Sequence, residues 1–392
     1  MNRPFHWLVV TLLALVAGCT GTSEGDTAPT PGCATDTSVP FAAAIGARAN
    51  SDNPRLPGSV ADLMVATARG GQEVTLIRAD GEPGVVYEKT FAPDVANGPA
   101  ADKEFEPFVA NLRAIFADAT HAEHADAATL SALTLAGRAV PSGGNVVLVD
   151  SGLQTTSPLR FQDETANLLD ADPADIVAQL KKQDMLPDLF GRHVVLIGLG
   201  NTAPPQPTLN TRQFRKVTAI WTAIAKAGGA ACVQVLDDPG TNTAVPEVPP
   251  VTVVRLPEPP PPPKPCGETV LGERNNVGFV RDKAIFLDEQ AARETIQQVA
   301  DVMRDGRQTA ELVGTTANVG TPAGQVALSK QRANAVQQVL VEMGIDPQRL
   351  RTVGLGSRFD GYVPDHGPDG SLLPGPAAQN RKVIIRLSCA SS

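Results

Sequence analysis

"VGTTANVGTPAGQVALSKQRANAVQQVL", residues 313–340, joins a strand-like run to a long helix through a loop rich in Gly and Pro. Residues 310–316 have the apolar and β-branched character of a strand, and the turn-forming residues that follow end it. Ser329 and Arg332 fall in the first turns of the helix, three residues apart, so they share a helix face. The stretch therefore predicts a strand–loop–helix unit that presents Arg332 without any acidic residue of its own to oppose it.

The stretch lies in a C-terminal region, residues 266–392, whose apolar pattern predicts a small α+β domain. "NNVGFVRDKAIF" (275–286) is strand-like, and a helix is predicted between a cap at Asp288 and a stop at Gly306. "TAELVGTT" is the next strand, the helix of the quoted stretch ends at Gly344, and "LRTVGLG" and "KVIIRLS" supply two more strands. The order βαβαββ favours one sheet with helices on one face.

This region resembles the OmpA-like peptidoglycan-binding domain over residues 277–387. The matching pieces are "LSKQRANAVQQVL", against the family pattern LS-x-x-RA-x-x-V-x-x-x-L, then "MGIDPQRLRTVGLGS" and "NRKVIIRL". The resemblance implies a pocket for the diaminopimelate of peptidoglycan, in which a helix Arg holds a carboxylate and an Asp in a G-x-T-D motif holds the ammonium. Aligned through the helix motif, Arg332 is that Arg, and its planar fork can bind a carboxylate bidentately.

The sequence departs from the family pattern where the Asp should stand. The motif here is "GTTA", which places Ala317 at the Asp position, and Gln325 stands where the family often has Asn. Thr316 and Asn318 remain as neutral acceptors. Losing a charge-assisted contact of about 1.5–3 kcal/mol predicts weak, salt-sensitive binding of peptidoglycan.

Two further residues, Asn380 and Arg381, occupy family pocket positions at the start of the last strand, where the resemblance implies contact with the ligand. Acidic residues in the loop 360–369 are an alternative source of the missing charge. Two other interpretations stay open: Arg332 as an ordinary surface arginine, and Ala317 as part of a surface for protein contacts.

Residues 33–244 alternate nearly continuous apolar strands with amphipathic helices, which predicts a three-layer α/β domain with a parallel sheet, of Rossmann or von Willebrand factor A type. The resemblance to the von Willebrand factor A domain is faint. Asp150 and Ser151 end a central strand, but the D-x-S-x-S spacing of that family's metal site fails after them. We therefore expect Asp150 to cap a loop, with no metal bound. "GLGNTA" (198–203) is followed by "PPQP" where a helix should open, so no dinucleotide cofactor is expected.

Residues 245–265 contain a run of prolines, which predicts a stiff, extended linker between the two domains. A ligand for a proline-recognising domain is the alternative interpretation of this run.

The N-terminus predicts export and lipidation. Residues 1–18 combine a basic start with an apolar run too short to span a membrane, and "VAGC" resembles the lipobox of bacterial lipoproteins, with Cys19 as the lipidated residue. Residues 19–32 are small and polar, as expected of a tether. The sequence therefore predicts a palmitate-type anchor on the extracytoplasmic face of a membrane in the cell envelope.

Removing Cys19 leaves four cysteines, an even number, which in an exported chain suggests disulfides with three possible pairings. Because one pair brackets each predicted domain, we expect one bridge from Cys33 to Cys232 and another from Cys266 to Cys389. None of the four has the spacing of a zinc site.

The composition of the chain argues against one class of function. The chain has 392 residues and a net charge of −9, which argues against a nucleic-acid surface because phosphate neutralisation needs a basic face. We expect a non-catalytic envelope lipoprotein that links a membrane to peptidoglycan, with the α/β domain binding an unidentified envelope protein. The alternative is an envelope enzyme or small-ligand receptor with its site at the C-terminal strand ends of the α/β domain.

Overall fold

The computed structural model describes residues 33, 36–94, 98–118, 120–237, 239–258, 260–304 and 308–389. The predicted signal peptide, lipidation site Cys19 and tether lie outside these residues. Among the residues described, no helix has the length and apolar character needed to cross a membrane. Cys33–Ser392 forms one compact unit, so the two predicted domains pack against each other. We call residues 36–258 the N-terminal lobe and residues 260–389 the C-terminal lobe.

The N-terminal lobe is built on a sheet whose described strands have the order β3-β2-β1-β4-β5-β6. Neighbouring strands pair in parallel except β3, which runs antiparallel to β2. This is the order of a doubly wound α/β fold, and the predicted fold class is confirmed. The strands are β1 (Phe41–Ile45), β2 (Glu73–Arg78), β3 (Gly84–Thr90), β4 (Asn145–Val149), β5 (His193–Ile197) and β6 (Cys232–Leu236).

Helices cover both faces of this sheet, and its central strands are therefore fully buried. Helices α1 and α2 pack on one face, and α3, α4 and α5 pack on the other, each face with its own apolar cluster. Asn210 caps α5 through a capping box with Gln213. The helices are α1 (Gly58–Arg69), α2 (Gly98–Asp118), α3 (Thr129–Ala139), α4 (Pro173–Lys182) and α5 (Thr211–Ala227).

The C-terminal lobe has a second sheet, with described strands in the order β7-β10-β8-β9. Strand β10 runs antiparallel to both its neighbours, whereas β8 and β9 are parallel. Its core lies between the sheet and the apolar faces of α6 and α7. The elements are β7 (Gly267–Leu271), α6 (Glu289–Met303), β8 (Ala310–Gly314), α7 (Pro322–Glu342), β9 (Leu350–Gly354), α8 (Pro374–Asn380) and β10 (Val383–Leu387).

The first strand of this lobe differs from the prediction. Residues 275–286 contribute only an isolated bridge between Phe279 and Phe286, and the first strand is β7, which precedes them. Strand β7 is an edge strand whose side chains are mostly exposed, so its sequence lacks the apolar signal of a buried strand. The edge strand β3, with a similarly exposed pattern, and the short helix α8 were also not predicted from the sequence.

The Pro-rich segment does not project as a free spacer. Val254 is 1% exposed and belongs to the apolar cluster of the N-terminal lobe, and its backbone N–H and C=O both bond to the side-chain amide of Gln206, at 2.8 and 2.9 Å. The Asn50 amide bonds to the carbonyl of Val251 at 2.9 Å. Residues 245–256 therefore lie along the N-terminal lobe, because their alternate apolar side chains and free backbone groups find partners there.

Charged side chains join the two lobes. Asp170 of the N-terminal lobe is 4% exposed and binds Arg274 of the C-terminal lobe at 2.5 Å, as well as Arg212 of its own lobe at 3.0 Å. Lys216 of α5 pairs with Glu273 at 3.0 Å. Helix α8 approaches the N-terminal lobe closely enough that a Cβ on Gly375 would overlap a backbone carbonyl there. The lobes thus meet in a tight, charge-paired interface.

Both disulfides have the pairing expected from the sequence, Cys33 with Cys232 and Cys266 with Cys389. The first ties the start of the N-terminal lobe to its last strand, over a separation of 199 residues. The second links the two ends of the C-terminal lobe, over 123 residues.

We predict that peptide mapping under non-reducing conditions finds these two linkages in the exported protein. Because a bridge over a loop of this length restricts the unfolded chain, replacing Cys266 and Cys389 together by Ser should lower the free energy of unfolding by about 4 kcal/mol. Denaturant unfolding measures the difference. A peptide that joins Cys33 or Cys232 to a C-terminal cysteine would contradict the fold.

Candidate functional site

The loop and helix that begin with the quoted stretch are fixed by local contacts. The hydroxyl of Thr321 caps α7 by accepting from the N–H of Gly324 at 3.2 Å, and Pro322 occupies the first turn, where its missing N–H costs nothing. One face of α7 turns inward, so that Ser329 and Arg332 are 0% and 4% exposed. Arg332 thus lies inside the lobe and is not an ordinary surface arginine.

Small residues allow α7 to lie directly on strands β8 and β9. A Cβ on Gly314 would overlap the backbone of Ser329. The hydroxyl of Ser329 accepts a hydrogen bond from the N–H of Gly356 at 3.0 Å, while the carbonyl of Gly356 accepts from the N–H of Thr316 at 2.9 Å. These bonds hold the end of β8 beside the first turns of α7 and leave the groups beyond Thr316 facing a cavity.

The cavity has a volume of about 310 Å³. This is the lower end of the range for small-molecule sites. Its walls carry cationic, anionic and neutral polar groups together, as do sites that bind a small charged ligand. The residues that matter to its chemistry are Phe279, Asp282, Thr316, Ala317, Arg332 and Arg381 of the C-terminal lobe and Asp172 of the N-terminal lobe.

Arg332 is held rigidly at one side of the cavity. Its Nε donates to the carbonyl of Lys283 at 3.1 Å and its Nη2 to the carbonyl of Val280 at 3.5 Å, while the guanidinium lies 5.2 Å from the ring centroid of Phe279. Burial, together with the nearby charge of Arg381, lowers the pKa of Arg332 to about 10, so it stays cationic at neutral pH. Within the described residues, no carboxylate forms an ion pair with it.

Arg381 lines the same cavity but is already paired. Its Nη1 lies 2.6 Å from Oδ2 of Asp175, in an orientation that makes an ion pair rather than an aligned hydrogen bond. Arg281 approaches the other oxygen of Asp175 at 2.7 Å. Asp175 belongs to α4 of the N-terminal lobe and is 2% exposed. A buried carboxylate from one lobe therefore neutralises guanidinium groups from the other.

The structure brings together three of the five residues expected in the pocket. Thr316, Arg332 and Arg381 line the cavity. The exposed side chain of Asn318 accepts from the Gln325 amide at 3.1 Å, and Asn380 is fully buried away from the cavity. Ala317 also lines the cavity and is 3% exposed, which agrees with a motif position beside the ligand.

Asp365 lies in the loop considered as an alternative source of charge. Its carboxylate is already engaged in hydrogen bonds within the lobe. It accepts from the N–H of Asn318 at 2.8 Å, from the Asn380 amide at 3.2 Å and from the hydroxyl of Tyr362. Burial raises the pKa of this carboxyl, but the hydrogen bonds from Tyr362, Asn318 and Asn380 outweigh it and hold the pKa below its ordinary value. Asp365 thus organises the loop and does not face the cavity.

Three aspartates at and beside the cavity, Asp172, Asp175 and Asp282, are not predicted from the sequence. The stretch "DADPAD" (170–175) carries a signal only for the start of α4, where Asp172 accepts from the N–H of Ala174 at 2.9 Å. Nothing in that stretch indicates that the start of the helix contacts the other lobe.

The strand ends of the N-terminal lobe, where the alternative site was expected, contain a buried ion pair. Asp150 and Arg48 are 3% and 1% exposed, and their side chains form two contacts, one of them at 2.9 Å. Asp150 also accepts from the N–H of Gly152 at 2.6 Å, as a loop-capping residue does. The adjacent cavity holds about 20 Å³, room for one water molecule. In the described ranges, no group of three or more His, Cys, Asp or Glu side chains is arranged to hold a metal ion.

We predict that Asp175→Ala destabilises the protein, because two guanidinium groups of the other lobe lose their buried partner. Breaking such a pair typically costs about 3 kcal/mol or more of unfolding free energy. Arg215→Ala is the control, since it removes an exposed inter-lobe pair with Asp288, 3.2 Å apart, for which about 0.5 kcal/mol is expected. Equal effects in denaturant unfolding would contradict the structural role of Asp175.

Comparisons with known proteins concern the family of the C-terminal lobe. Residues 279–365 match the family model described as the OmpA family, which confirms the resemblance of the C-terminal region. Probable lipoprotein YiaD of Escherichia coli strain K12 is 33% identical over 120 residues, which are 30% of this chain and 51% of that protein. Outer membrane protein A of Bordetella avium is 34% identical over 131 residues, 33% of this chain and 62% of that protein. The chain thus spans only 51% and 62% of the lengths of these relatives.

Among solved structures, the peptidoglycan-associated lipoprotein from Burkholderia pseudomallei aligns at 22% identity, with a TM-score of 0.25, over 30% of this chain and 89% of that chain. The resemblance of the N-terminal lobe to a von Willebrand factor A domain stays a prediction.

Proposed function

We propose, starting from the OmpA domain at residues 279–365, that this chain is a non-catalytic envelope protein that binds peptidoglycan in the cavity beside Arg332. The observation that carries the proposal is the environment of Arg332. A guanidinium that is 4% exposed, cationic at neutral pH and unpaired among the described carboxylates has a strong electrostatic preference for an anionic ligand. A carboxylate of a peptidoglycan stem peptide supplies that anion.

The neutral part of the cavity supports binding of moderate strength. Thr316 lines the cavity, and its hydroxyl is buried without a hydrogen-bond partner in the described structure. Ala317 contributes no charge at the motif position. The ligand would therefore gain one strong, charge-assisted contact from Arg332 and weaker contacts from its other neighbours.

We further propose the arrangement of the whole chain. Cys19 carries the lipid anchor on the extracytoplasmic face of a membrane after removal of residues 1–18, and residues 19–32 act as the tether. Residues 33–244 and 266–392 follow as the two domains, and the Pro-rich residues 245–265 connect them, with 245–256 lying along the N-terminal lobe. Two of the relatives, one from Escherichia coli and one from Burkholderia pseudomallei, are lipoproteins by name, and the name of the second associates it with peptidoglycan.

For the N-terminal lobe we propose a partner protein in the envelope. Phe190 is 72% exposed and Met185 is 45% exposed, and both lie in the segment between α4 and β5. A partner protein that bound this segment would cover both side chains. The buried pair of Arg48 with Asp150 gives the enzyme or receptor alternative no comparable support.

We predict that Arg332→Ala reduces sedimentation of the protein with insoluble diaminopimelate-type peptidoglycan to background, because the ligand loses its charged partner. Ala317→Asp should raise affinity about tenfold or more by restoring the motif carboxylate. Wild-type binding should weaken as salt is added.

Arg358→Ala is the matched control, since it removes an exposed positive charge of the same lobe and should leave binding unchanged. Thermal melts of each variant establish that it is folded. Tight wild-type binding that survives Arg332→Ala would show that the cavity is not the peptidoglycan site.

A further inference from the structure

The cavity beside Arg332 is not formed by the C-terminal lobe alone. Asp172, at the start of α4 in the N-terminal lobe, contributes one of its walls. Its carboxylate is fixed there by the helix cap, in which it accepts from the N–H of Ala174 at 2.9 Å, and by Pro173 at the first helical position. The first turn of the same helix carries Asp175, which binds Arg281 and Arg381. The start of α4 is therefore held against the cavity by two ion pairs.

Most of the charged side chains around the cavity form ion pairs with one another. Arg281 and Arg381 share the carboxylate of Asp175, and Arg281 also lies 3.8 Å from Asp282. Two groups remain, Arg332 and Asp172. Among the described residues, neither of these two forms a salt bridge.

Arg332 and Asp172 line one cavity of about 310 Å³ without forming a salt bridge to each other. Their opposite charges indicate which kind of ligand the cavity favours. A ligand that brings a carboxylate to Arg332 and an ammonium to Asp172 places an opposite charge beside each side chain. A ligand with only one of these groups leaves either Arg332 or Asp172 without an opposite charge from the ligand. The arrangement favours an amino-acid end that keeps both a free amine and a free carboxylate.

We propose that the cavity is a composite site between the lobes, in which Arg332 binds the carboxylate of a zwitterionic amino-acid group and Asp172 of the N-terminal lobe binds its ammonium. The proposal rests on the proposed function and names the residue that replaces the acidic group missing at Ala317. The site is complete only while the two lobes are docked.

The other carboxylates near the cavity fit this role less well. The charges of Asp282 and Asp172 both act on Arg332, but the side chain of Asp282 is 81% exposed, so water screens it, and it already lies near Arg281. Asp175 faces two guanidinium groups, which leaves it no capacity for a third cation. Asp172 is half-buried, lines the cavity and has a fixed position, which are the properties required of a ligand contact.

The test uses the full chain and two soluble probes, a muropeptide with a free amine beside a free carboxylate and the same muropeptide with that amine acetylated. Titration calorimetry gives the ratio of their affinities. We expect the wild type to prefer the free amine by about tenfold or more, because acetylation removes a charge-assisted contact. Asp172→Asn should bind both probes with the weaker affinity. Asn also caps helices well, so this variant keeps the start of α4.

Asp184→Asn is the matched control, because it removes an exposed carboxylate just beyond the other end of α4, and it should keep the wild-type ratio. If Asp172→Asn keeps the preference while Arg332→Ala abolishes binding, the composite site is wrong and the proposed function stands. If the wild type binds both probes equally, the ammonium has no partner in the cavity and the composite site is also wrong. If neither probe binds the wild type, the proposed function fails and this inference fails with it.

Discussion

The ion pairs of Asp175 with Arg281 and Arg381 are the interaction on which the arrangement of this protein depends. A carboxylate that is 2% exposed is costly to bury unless opposite charges surround it, and both of its partners come from the other lobe. The pairs therefore align α4 with the loops of the C-terminal lobe. Asp170 and Lys216 extend the same interface with further inter-lobe pairs. The close approach at Gly375 leaves little space for the lobes to slide past each other.

This interface changes the chemistry of the OmpA domain. In isolation the C-terminal lobe would present several arginines to its cavity and no acidic residue at the motif position, Ala317. Docking of α4 neutralises two of these arginines through Asp175 and adds Asp172 to the cavity wall. The hydrogen bonds of Arg332 go to backbone carbonyls, so its guanidinium has no ion-pair partner among the described carboxylates. In the proposed site, the carboxylate comes from the start of α4 in the N-terminal lobe and not from the end of β8, where Ala317 stands.

Most of the helices and strands could be predicted from the sequence, because buried strands and amphipathic helices have periodic patterns of apolar residues. The motif on α7 and the Gly-containing end of β8 located Arg332, and the bracketing positions of Cys266 and Cys389 indicated their pairing. The edge strand β7 was missed because its outward side chains are mostly polar, and residues 275–286 alternate like a strand without forming one.

In the proposed site, Arg332 could be predicted from the sequence but Asp172 could not, for a different reason. Asp172 lies 160 residues before Arg332, in a segment whose local signal is a helix cap. Contact between two lobes follows from the match of their surfaces in shape and charge, which no periodicity records. The Pro-rich segment shows the same limit: its composition predicts an extended chain, but whether that chain stands free or lies along a lobe depends on partners such as Gln206.

A crystal structure of the full chain with a diaminopimelate-containing muropeptide shows whether both lobes contact one ligand. We expect a ligand carboxylate paired with the guanidinium of Arg332 and a ligand ammonium within about 3 Å of the carboxylate of Asp172. A ligand bound at Arg332 with its ammonium turned toward solvent, or with α4 displaced from the cavity, would show that the two lobes do not share the site.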